Sequence, residues 1–300
     1  MPVCVEHPEL ICQLAQGSYS RIYIAVSSSS GEEIAVKRYL SGDRGDREYK
    51  RETSILRHLE GLSQSSPYVI SPRLDAVPYP LIGLELCARG DLTDYVHNVA
   101  PCVRETRRIA RELALGLVFL HDHGIAHEDV KPDNIGMTAD FHVRILDFGL
   151  AVRTRPTELF ESFEAHAQLS SRYGTVPYTS PEKLQGKLHG LEVDWWSFGV
   201  ILYELIFRCL PWDAESLDDM AELICTQPLK MPQQAAEPSL ASSVGLIRNL
   251  IEDKDPKQRL GYHFGGREVL AHPFLTKRGH RRDDAESGRD AASESKQAHK

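Results

Sequence analysis

The chain has 300 residues, of which 41% are hydrophobic and 26% charged. This is enough apolar material for roughly one or two packed cores of about 150 residues, which excludes a chain that is disordered throughout. The formal net charge is −8, so the chain lacks the basic surface that binding to a nucleic acid backbone requires. We therefore expect no nucleic acid partner.

The start of the sequence, its most apolar stretch and its cysteines indicate the cellular location. The sequence begins MPVCVEHPEL, without the pattern of a secretory signal and without the Gly that myristoylation needs. The stretch from Val200 to Leu210 is too short to span a bilayer and contains Glu204 and Arg208. We expect an intracellular protein, cytoplasmic or nuclear, with no membrane partner. Widely scattered cysteines, without a Cys-x-x-Cys pair, indicate free thiols in a reducing compartment: Cys4, Cys12, Cys87, Cys102, Cys209 and Cys225.

The first part of the chain is rich in strand-forming runs. ELICQLAQ, RIYIAVS, EEIAVKRYL and PLIGLELC lie between Leu10 and about Leu86, separated by Gly, Ser and Pro. Between the third and fourth runs, Ile55, Leu56 and Leu59 recur at helical spacing. We predict an N-terminal lobe over residues 1–86, a small antiparallel β-sheet with one main helix.

From Asp91 onward the pattern is helical. DLTDYVHNV, RETRRIARELALGLVFLHDHG and EVDWWSFGVILYELIFR carry apolar residues every three to four positions, and shorter helices follow. The last stretch has almost no large apolar residue, so it cannot offset the entropy cost of ordering. We predict a larger, mostly α-helical lobe over residues 87–276, a disordered polar tail over residues 277–300, and an α+β fold class.

Two motifs carry the chemistry. The segment HEDVKPDN at 127–134 is followed by Asp147-Phe148-Gly149. Transfer of a γ-phosphoryl group needs a phosphate cradle, a cation, oxygen ligands for Mg²⁺ and a carboxylate near the attacking hydroxyl. In these motifs the sequence resembles the eukaryotic protein kinase family, over about residues 10–276. The resemblance implies the bilobal protein kinase fold, with ATP and Mg²⁺ as cofactors.

Catalytic roles are carried over from this resemblance residue by residue. Asp129 matches the carboxylate that orients the substrate hydroxyl or accepts its proton, and Lys131 matches the cation that offsets charge on the transferred phosphoryl group. Asn134 and Asp147 match the two metal ligands, whose oxygen donors suit Mg²⁺. The predicted catalytic residues are thus Asp129 and Lys131.

The same resemblance implies the nucleotide site. Lys37 matches the lysine that holds the α- and β-phosphates, and Glu52 matches its ion-pair partner on the helix. Without the other motifs, a solvated charge pair would be the favoured interpretation of these two residues. The residues predicted to bind the nucleotide are Leu14, Gly17, Ile22, Ala35, Lys37, Glu52, Glu85, Cys87, Asn134 and Asp147.

The sequence departs from the family pattern around the nucleotide. In the glycine-rich loop, Ala15 and Ser20 replace the first and third glycines, and only Gly17 remains, where the backbone approaches the phosphates most closely. This predicts a stiffer cradle. Gly136 stands where the family usually has an apolar residue under the adenine. This predicts a less tightly packed floor of the nucleotide site.

A third departure is Glu128, where most members have Arg, so the catalytic loop is of the non-RD type. That Arg usually pairs with a phosphate on the activation segment, and a carboxylate would repel a phosphate. We predict that activity does not require phosphorylation of this segment. We also predict that Glu128 pairs with an unmodified basic residue, for which Arg153, Arg155 and Arg172 are candidates.

Further motifs resemble supporting parts of the family. GTVPYTSPE resembles the end of the activation segment and DWWSFG the start of the central buried helix. Arg259 resembles the buried partner of Glu182, because a buried carboxylate needs a cation. The stretch 155–171 is long for an activation segment, which leaves open a short helix, a fold over the cleft or control of access.

Features of the second half suggest a substrate class. Lys131 and Thr175 favour Ser or Thr over Tyr as the acceptor, and the ending RLGYHFGGREVLAHPFL resembles the AGC group. Asp91, Asp133 and Glu204 match positions that contact basic residues before the phosphosite, although helix capping or solvation explains these acids equally well. The predicted partners are ATP and protein substrates with basic-directed Ser or Thr sites.

We predict a protein serine/threonine kinase, with two alternatives. A pseudokinase, a kinase-shaped scaffold or regulatory binding module, would explain the replaced residues as decay. A small-molecule kinase is less favoured, because the GTVPYTSPE and DWWSFG segments resemble a peptide-binding platform.

Overall fold

The computed structural model describes residues 8–276 except 18, 28–29, 75–76, 78–79, 100 and 154–173. Its N-terminal strands are Glu9–Gln16 (β1), Ser20–Val26 (β2), Glu33–Tyr39 (β3) and Leu81–Glu85 (β4). They form one antiparallel sheet in the order β1-β2-β3-β4. In its register, Lys37 lies between Ile22 on β2 and Ile82 on β4.

One long helix, α1 (Asp43–Glu60), connects β3 to β4. Its apolar residues Ile55, Leu56 and Leu59 are buried in the same core as residues of the sheet, as expected for an amphipathic helix. Glu52 lies on this buried face too and is 0% exposed. The helix therefore brings a carboxylate beneath the sheet, where only a cation or hydrogen-bond donors can compensate its burial.

The rest of the described chain is mostly helical. Two pairs of short strands, β5 (Ile125–Ala126) with β8 (Val152–Arg153) and β6 (Ile135–Met137) with β7 (Val143–Ile145), lie in its first half. The sheet lobe with one main helix, followed by a helical lobe, confirms the predicted α+β bilobal fold. The helices are α2 (Leu92–Asn98), α3 (Val103–Asp122), α4 (Pro181–Leu184), α5 (Glu192–Phe207), α6 (Leu217–Thr226), α7 (Ala241–Ile251), α8 (Gly266–Leu270) and α9 (Pro273–Thr276).

Helix α5 lies at the centre of the helical lobe. It is apolar on nearly every side, which is typical of a fully buried helix, and Trp195, Trp196 and Phe198 are at most 1% exposed. The helix predicted through Arg208 ends at Phe207, because Arg208 adopts a left-handed φ of 62°. The Arg208 guanidinium then donates to the carbonyl of Val96 and ties α5 to α2.

The tail predicted over residues 277–300 and the stretch 155–171 lie outside the described residues. Within the described ranges, no helix is long and apolar enough to cross a bilayer. The cysteines of those ranges are free thiols, as predicted.

Candidate active site

A buried aspartate shapes the loop that follows β5. Asp194, at the start of α5, accepts hydrogen bonds from the backbone N–H of His127 at 2.8 Å and of Glu128 at 2.9 Å. His121 on α3 donates to the same carboxylate at 2.8 Å, and these contacts lower the pKa of Asp194 despite its burial. The His127 ring donates to the carbonyl of Leu146. These bonds fix the backbone immediately before Asp129.

Three neighbours surround the Asp129 carboxylate. Lys131 Nζ lies 3.0 Å from Oδ2, and the Asn134 amide nitrogen donates to the same oxygen at 3.1 Å. On the other oxygen, Oδ1 accepts from the backbone N–H and the hydroxyl of Thr175, both at 3.2 Å. The predicted residues Asp129, Lys131 and Asn134 are thus brought together, and Thr175 joins them from the segment before α4.

Lys37 connects the two lobes. Its Nζ lies 2.8 Å from Glu52 Oε2 and 2.8 Å from Asp147 Oδ1. Although burial alone lowers the pKa of Lys37, the carboxylates of Asp147 and Glu52 raise it well above its usual value. The strand, the helix and the Asp-Phe-Gly segment therefore meet at one ammonium group, as the resemblance implies.

Asp147 remains ionised in this arrangement. Its side chain is 42% exposed, although it contacts the buried Lys37. Burial alone raises the pKa of Asp147, but the Lys37 ammonium and the N–H of Gly149 bring it down to about 2. Asp147 has a left-handed φ of 56°, a conformation that Asp tolerates better than most residues. The following Phe148 is buried against the His127 ring.

Tyr39 also belongs to this site, although no sequence motif predicted it. Its hydroxyl donates to Glu52 Oε2, the oxygen that also binds Lys37. Residues two apart on a strand project from the same face. Tyr39 therefore reaches Glu52 from the position next but one to Lys37, and this alternation was the signal that could have revealed it.

The floor of the predicted nucleotide site is filled. A Cβ atom on Gly136 would lie 2.5 Å from Cys87 Sγ and 3.0 Å from Leu146 Cδ1. The expectation of a loosely packed floor is therefore wrong, because the Cys87 side chain takes the space that a larger residue at position 136 would use. Burial raises the pKa of Cys87 to about 12, with a further contribution from the Glu85 carboxylate.

The other predicted nucleotide contacts are distributed unevenly. Ala35 belongs to the buried apolar core, and Ile22, Cys87 and Leu146 are partly buried against that core. Leu14 on β1 is half exposed. The backbone N–H of Gly17 donates to the carbonyl of Ser20, which closes the β1–β2 turn. The Glu85 carboxylate accepts from Arg144 Nε and the N–H of Ser71, so its side chain is engaged away from these apolar residues.

Of the predicted partners of Glu128, Arg153 is wrong, and two basic residues that were not predicted contact the carboxylate instead. Glu128 Oε2 lies 2.6 Å from Lys183 Nζ on α4, and Oε1 lies 3.2 Å from His189 Nε2. Arg153 is an exposed residue of β8 that pairs with Ile125. The other candidates, Arg155 and Arg172, lie outside the described residues. A lysine next to the buried Glu182 was the signal that could have identified the partner.

The second predicted ion pair is present. Glu182 Oε1 and Arg259 Nη2 are 2.6 Å apart, and each side chain is 4% exposed. The pair holds α4 against the segment that precedes α8. This contact confirms the predicted structural role of both residues.

Comparison with known proteins identifies the family. The model of the protein kinase domain matches residues 9–275. The chain therefore belongs to the protein kinase domain family.

Individual relatives agree with this assignment. The chain is 32% identical over 274 residues to calcium-dependent protein kinase 27 of Oryza sativa subsp. japonica, covering 88% of this chain and 42% of that protein. It is 29% identical over 294 residues to the probable serine/threonine protein kinase IREH1 of Arabidopsis thaliana, covering 89% and 22%. It is 28% identical over 280 residues to serine/threonine-protein kinase PLK4 of Drosophila ananassae, covering 91% and 34%. The chain thus spans less than half the length of these curated relatives.

Proposed function

We propose that the protein transfers the γ-phosphoryl group of Mg-ATP to Ser or Thr hydroxyls of protein substrates. The observation that carries this proposal is the assembled set of contacts around Lys37. Both its bond to Glu52 and its bond to Asp147 are formed, while Asn134 lies against Asp129. A module without catalysis has no physical need for three separate elements to converge on these groups.

The residues present fit a magnesium ion. The Asn134 amide nitrogen is used by Asp129, so the amide oxygen is the atom left for a cation. Asp147 stays ionised at any physiological pH, because the pKa of its carboxyl is about 2. Carboxylate and amide oxygens are the ligands that Mg²⁺ prefers, so Asn134 and Asp147 would hold it. Bound Mg²⁺ would neutralise charge on the phosphate oxygens.

The chain's own groups would then perform the transfer. Lys37, a permanent cation, binds phosphate oxygens, and Glu52 keeps its side chain in place. Asp129 orients the acceptor hydroxyl and takes its proton, and Lys131 offsets charge on the phosphoryl group as it moves. The Thr175 hydroxyl accepts from Lys131 and donates to Asp129. A threonine in contact with both residues supports Ser or Thr, and not Tyr, as the acceptor in the substrate.

The two lobes divide the remaining work in this proposal. Residues 1–86 bind ATP, with apolar contacts from Leu14, Ile22 and Ala35, phosphate contact at Gly17, and Glu85 at the end of β4. Cys87, the first residue of the second lobe, completes the nucleotide site. Residues 87–276 carry the catalytic loop and the substrate platform. The AGC-like character of the C-terminal segment is also part of the proposal, as is an intracellular location, cytoplasmic or nuclear, which the free thiols support.

Replacing Gly136 with Leu tests whether the floor lies under the adenine. Overpacking of a filled site costs about 1–3 kcal/mol, so we expect the KM for ATP to rise about tenfold with a smaller change in kcat. The double variant Gly136→Leu/Cys87→Ala removes the clashing sulfur and should recover most of the loss. Steady-state kinetics at varied ATP concentration would measure both. An unchanged KM in the single variant would place the adenine elsewhere.

Basic residues before the acceptor are proposed as the substrate preference. Burial raises the pKa of Asp91, and the negative charges of Asp94 and Asp133 raise it further, so this surface is acidic. Asp91 caps α2 through the N–H of Asp94, and Glu204 accepts from the Tyr178 hydroxyl. Asp133 is exposed and forms no ion pair with the described residues, which makes it the member best able to attract a substrate arginine.

Activity without phosphorylation of the activation segment is the third part of the proposal. Glu128, at the position that usually binds the phosphate, is a carboxylate that is 5% exposed and already neutralised by Lys183. A phosphate would meet a negative charge there instead of a free arginine. The pseudokinase alternative has no specific observation in its favour.

One assay tests the proposed function and its finer parts. Radiolabel transfer from Mg-ATP would be measured to peptides that differ only in the acceptor, Ser or Tyr, and in the residues before it, Arg or Ala. We expect transfer to the Ser peptide with Arg, several-fold less to the Ala version, and none to the Tyr peptide. Enzyme pretreated with a phosphatase should be equally active. No transfer to any peptide would contradict the kinase proposal. Loss of activity after the phosphatase would contradict the proposal that activity does not require phosphorylation of the activation segment.

A further inference from the structure

Three charged side chains meet in the protein interior behind the catalytic loop. Glu128 lies on the loop, Lys183 on α4, and His189 on the connection from α4 to α5. Their side chains are 1%, 3% and 1% exposed. Lys183 Nζ is 2.6 Å from one carboxylate oxygen of Glu128, and His189 Nε2 is 3.2 Å from the other. We call these three residues the Glu128 cluster.

The members of this cluster stabilise one another's charge. Burial alone raises the pKa of Glu128, but Lys183 and His189 bring it below its usual value. Burial alone lowers the pKa of His189, but the Glu128 carboxylate raises it above the usual 6.5. Removing one charge from such a group leaves another buried without a partner, which is far more costly than removing an exposed pair.

Lys183 also makes a contact that charge balance does not require. Its Nζ donates to the backbone carbonyl of Glu128 as well as to the carboxylate. The backbone N–H of Glu128 donates to the Asp194 carboxylate. Glu128 has a φ of 69°, a conformation that a non-glycine residue keeps only when its surroundings enforce it. Both polar groups of its backbone are thus fixed, and the next residue is Asp129.

Lys183 also lies next to Gly174, which precedes the residue that contacts Asp129 Oδ1. A Cβ atom built on Gly174 would be 3.7 Å from Lys183 Nζ. The next residue, Thr175, donates to Asp129 Oδ1 through both its N–H and its hydroxyl. Lys183 therefore supports the backbone that carries Asp129 and adjoins the backbone that orients the Asp129 carboxylate.

We propose that Lys183 is a positioning residue for phosphoryl transfer, acting through the carbonyl and carboxylate of Glu128 to set the orientation of Asp129. This inference rests on the proposed function and assigns the Glu128 cluster a part in it. The lysine acts on the loop from behind and touches neither the predicted metal ligands nor Lys37. Its contacts with the carbonyl and the carboxylate of Glu128 join the catalytic loop to α4.

The test separates positioning from simple stabilisation. Lys183→Met removes the cation and leaves the Glu128 carboxylate buried without its lysine. Glu128→Gln/Lys183→Met removes both charges of the pair. Lys187→Met, an exposed lysine beyond α4, is the matched control. For each protein we would measure Tm, kcat, the KM for ATP, and amide hydrogen exchange of the peptide that covers the catalytic loop.

We expect Lys183→Met to lower kcat about 10- to 100-fold, as a small displacement of a catalytic group does, with the KM for ATP unchanged within about twofold. The double variant should regain Tm but not kcat, because the Glu128 carbonyl still lacks its donor. Catalytic-loop amides should exchange faster in both variants and not in Lys187→Met. Recovery of kcat together with Tm would show a purely structural role and overturn the proposal, as would unchanged loop exchange in both variants.

Failure of the proposed function would look different. If the unmodified protein transferred no more phosphate than Asp129→Asn, the kinase proposal would fall, and the catalytic role of Lys183 with it. Faster loop exchange in Lys183→Met would then show only that the lysine orders this loop. If Lys183→Met failed to fold, the double variant, which restores charge balance, would still supply both decisive measurements.

Discussion

Asp129→Asn is expected to lower the rate of phosphoryl transfer by about 10²- to 10⁴-fold, the range found when a general base is removed. The amide keeps nearly the same shape but cannot take up the proton of the acceptor hydroxyl. Lys37, Asp147 and the nucleotide floor are untouched, so the affinity for Mg-ATP should change little. Single-turnover transfer to a Ser peptide and calorimetric binding of Mg-ATP would measure these two quantities.

A matched control for this variant lies in the same loop. Asp133→Asn removes an equal charge from an exposed residue that forms no ion pair with the described part of the chain. It should retain transfer to a peptide without basic residues. Equal loss of activity in both variants would point to a general electrostatic effect of the loop and would contradict the role proposed for Asp129.

Lys37→Met should give the second largest effect, on both activity and stability. Loss of one preorganised charged donor lowers kcat by about 10²- to 10³-fold. Breaking a buried ion pair by removing one partner also costs about 3–5 kcal/mol, and we expect the lower end of that range because Tyr39 still donates to Glu52. Transfer kinetics and urea unfolding would measure the two losses.

The adjacent residue offers the control for Lys37. Arg38 lies on the same strand but projects from the opposite face and is exposed. Arg38→Met removes the same charge over the same strand, and both activity and unfolding free energy should stay close to those of the unmodified protein. If the two variants behaved alike, the Lys37 contacts would have no special role in the site.

Much of the fold was predictable because its signals are local. Alternating apolar runs predict β1 to β4, and the spacing of Ile55, Leu56 and Leu59 predicts the buried face of α1. The sequence also identified the residues that meet around Lys37 and Asp129, since their order in a recognisable motif carries that information. The Glu182–Arg259 pair was found in the same way.

The contacts that escaped prediction join residues whose partnership no local pattern expresses. Cys87 fills the space beside Gly136 because the segment that follows β4 passes close to β6. Glu128 meets Lys183 because α4 packs behind the catalytic loop. In each case the sequence showed an unusual residue, and only the tertiary structure showed what compensated for it.

The Glu128–Lys183 pair has a consequence for how this sequence can change over evolutionary time. A substitution at position 128 alone, to arginine for example, would bury two cations side by side, and a substitution at 183 alone would leave a buried carboxylate without its lysine. Each single step costs several kcal/mol, a large share of the stability of a typical domain. The two positions are therefore bound to vary together, and a descendant could gain phosphate control at this loop only by changing both.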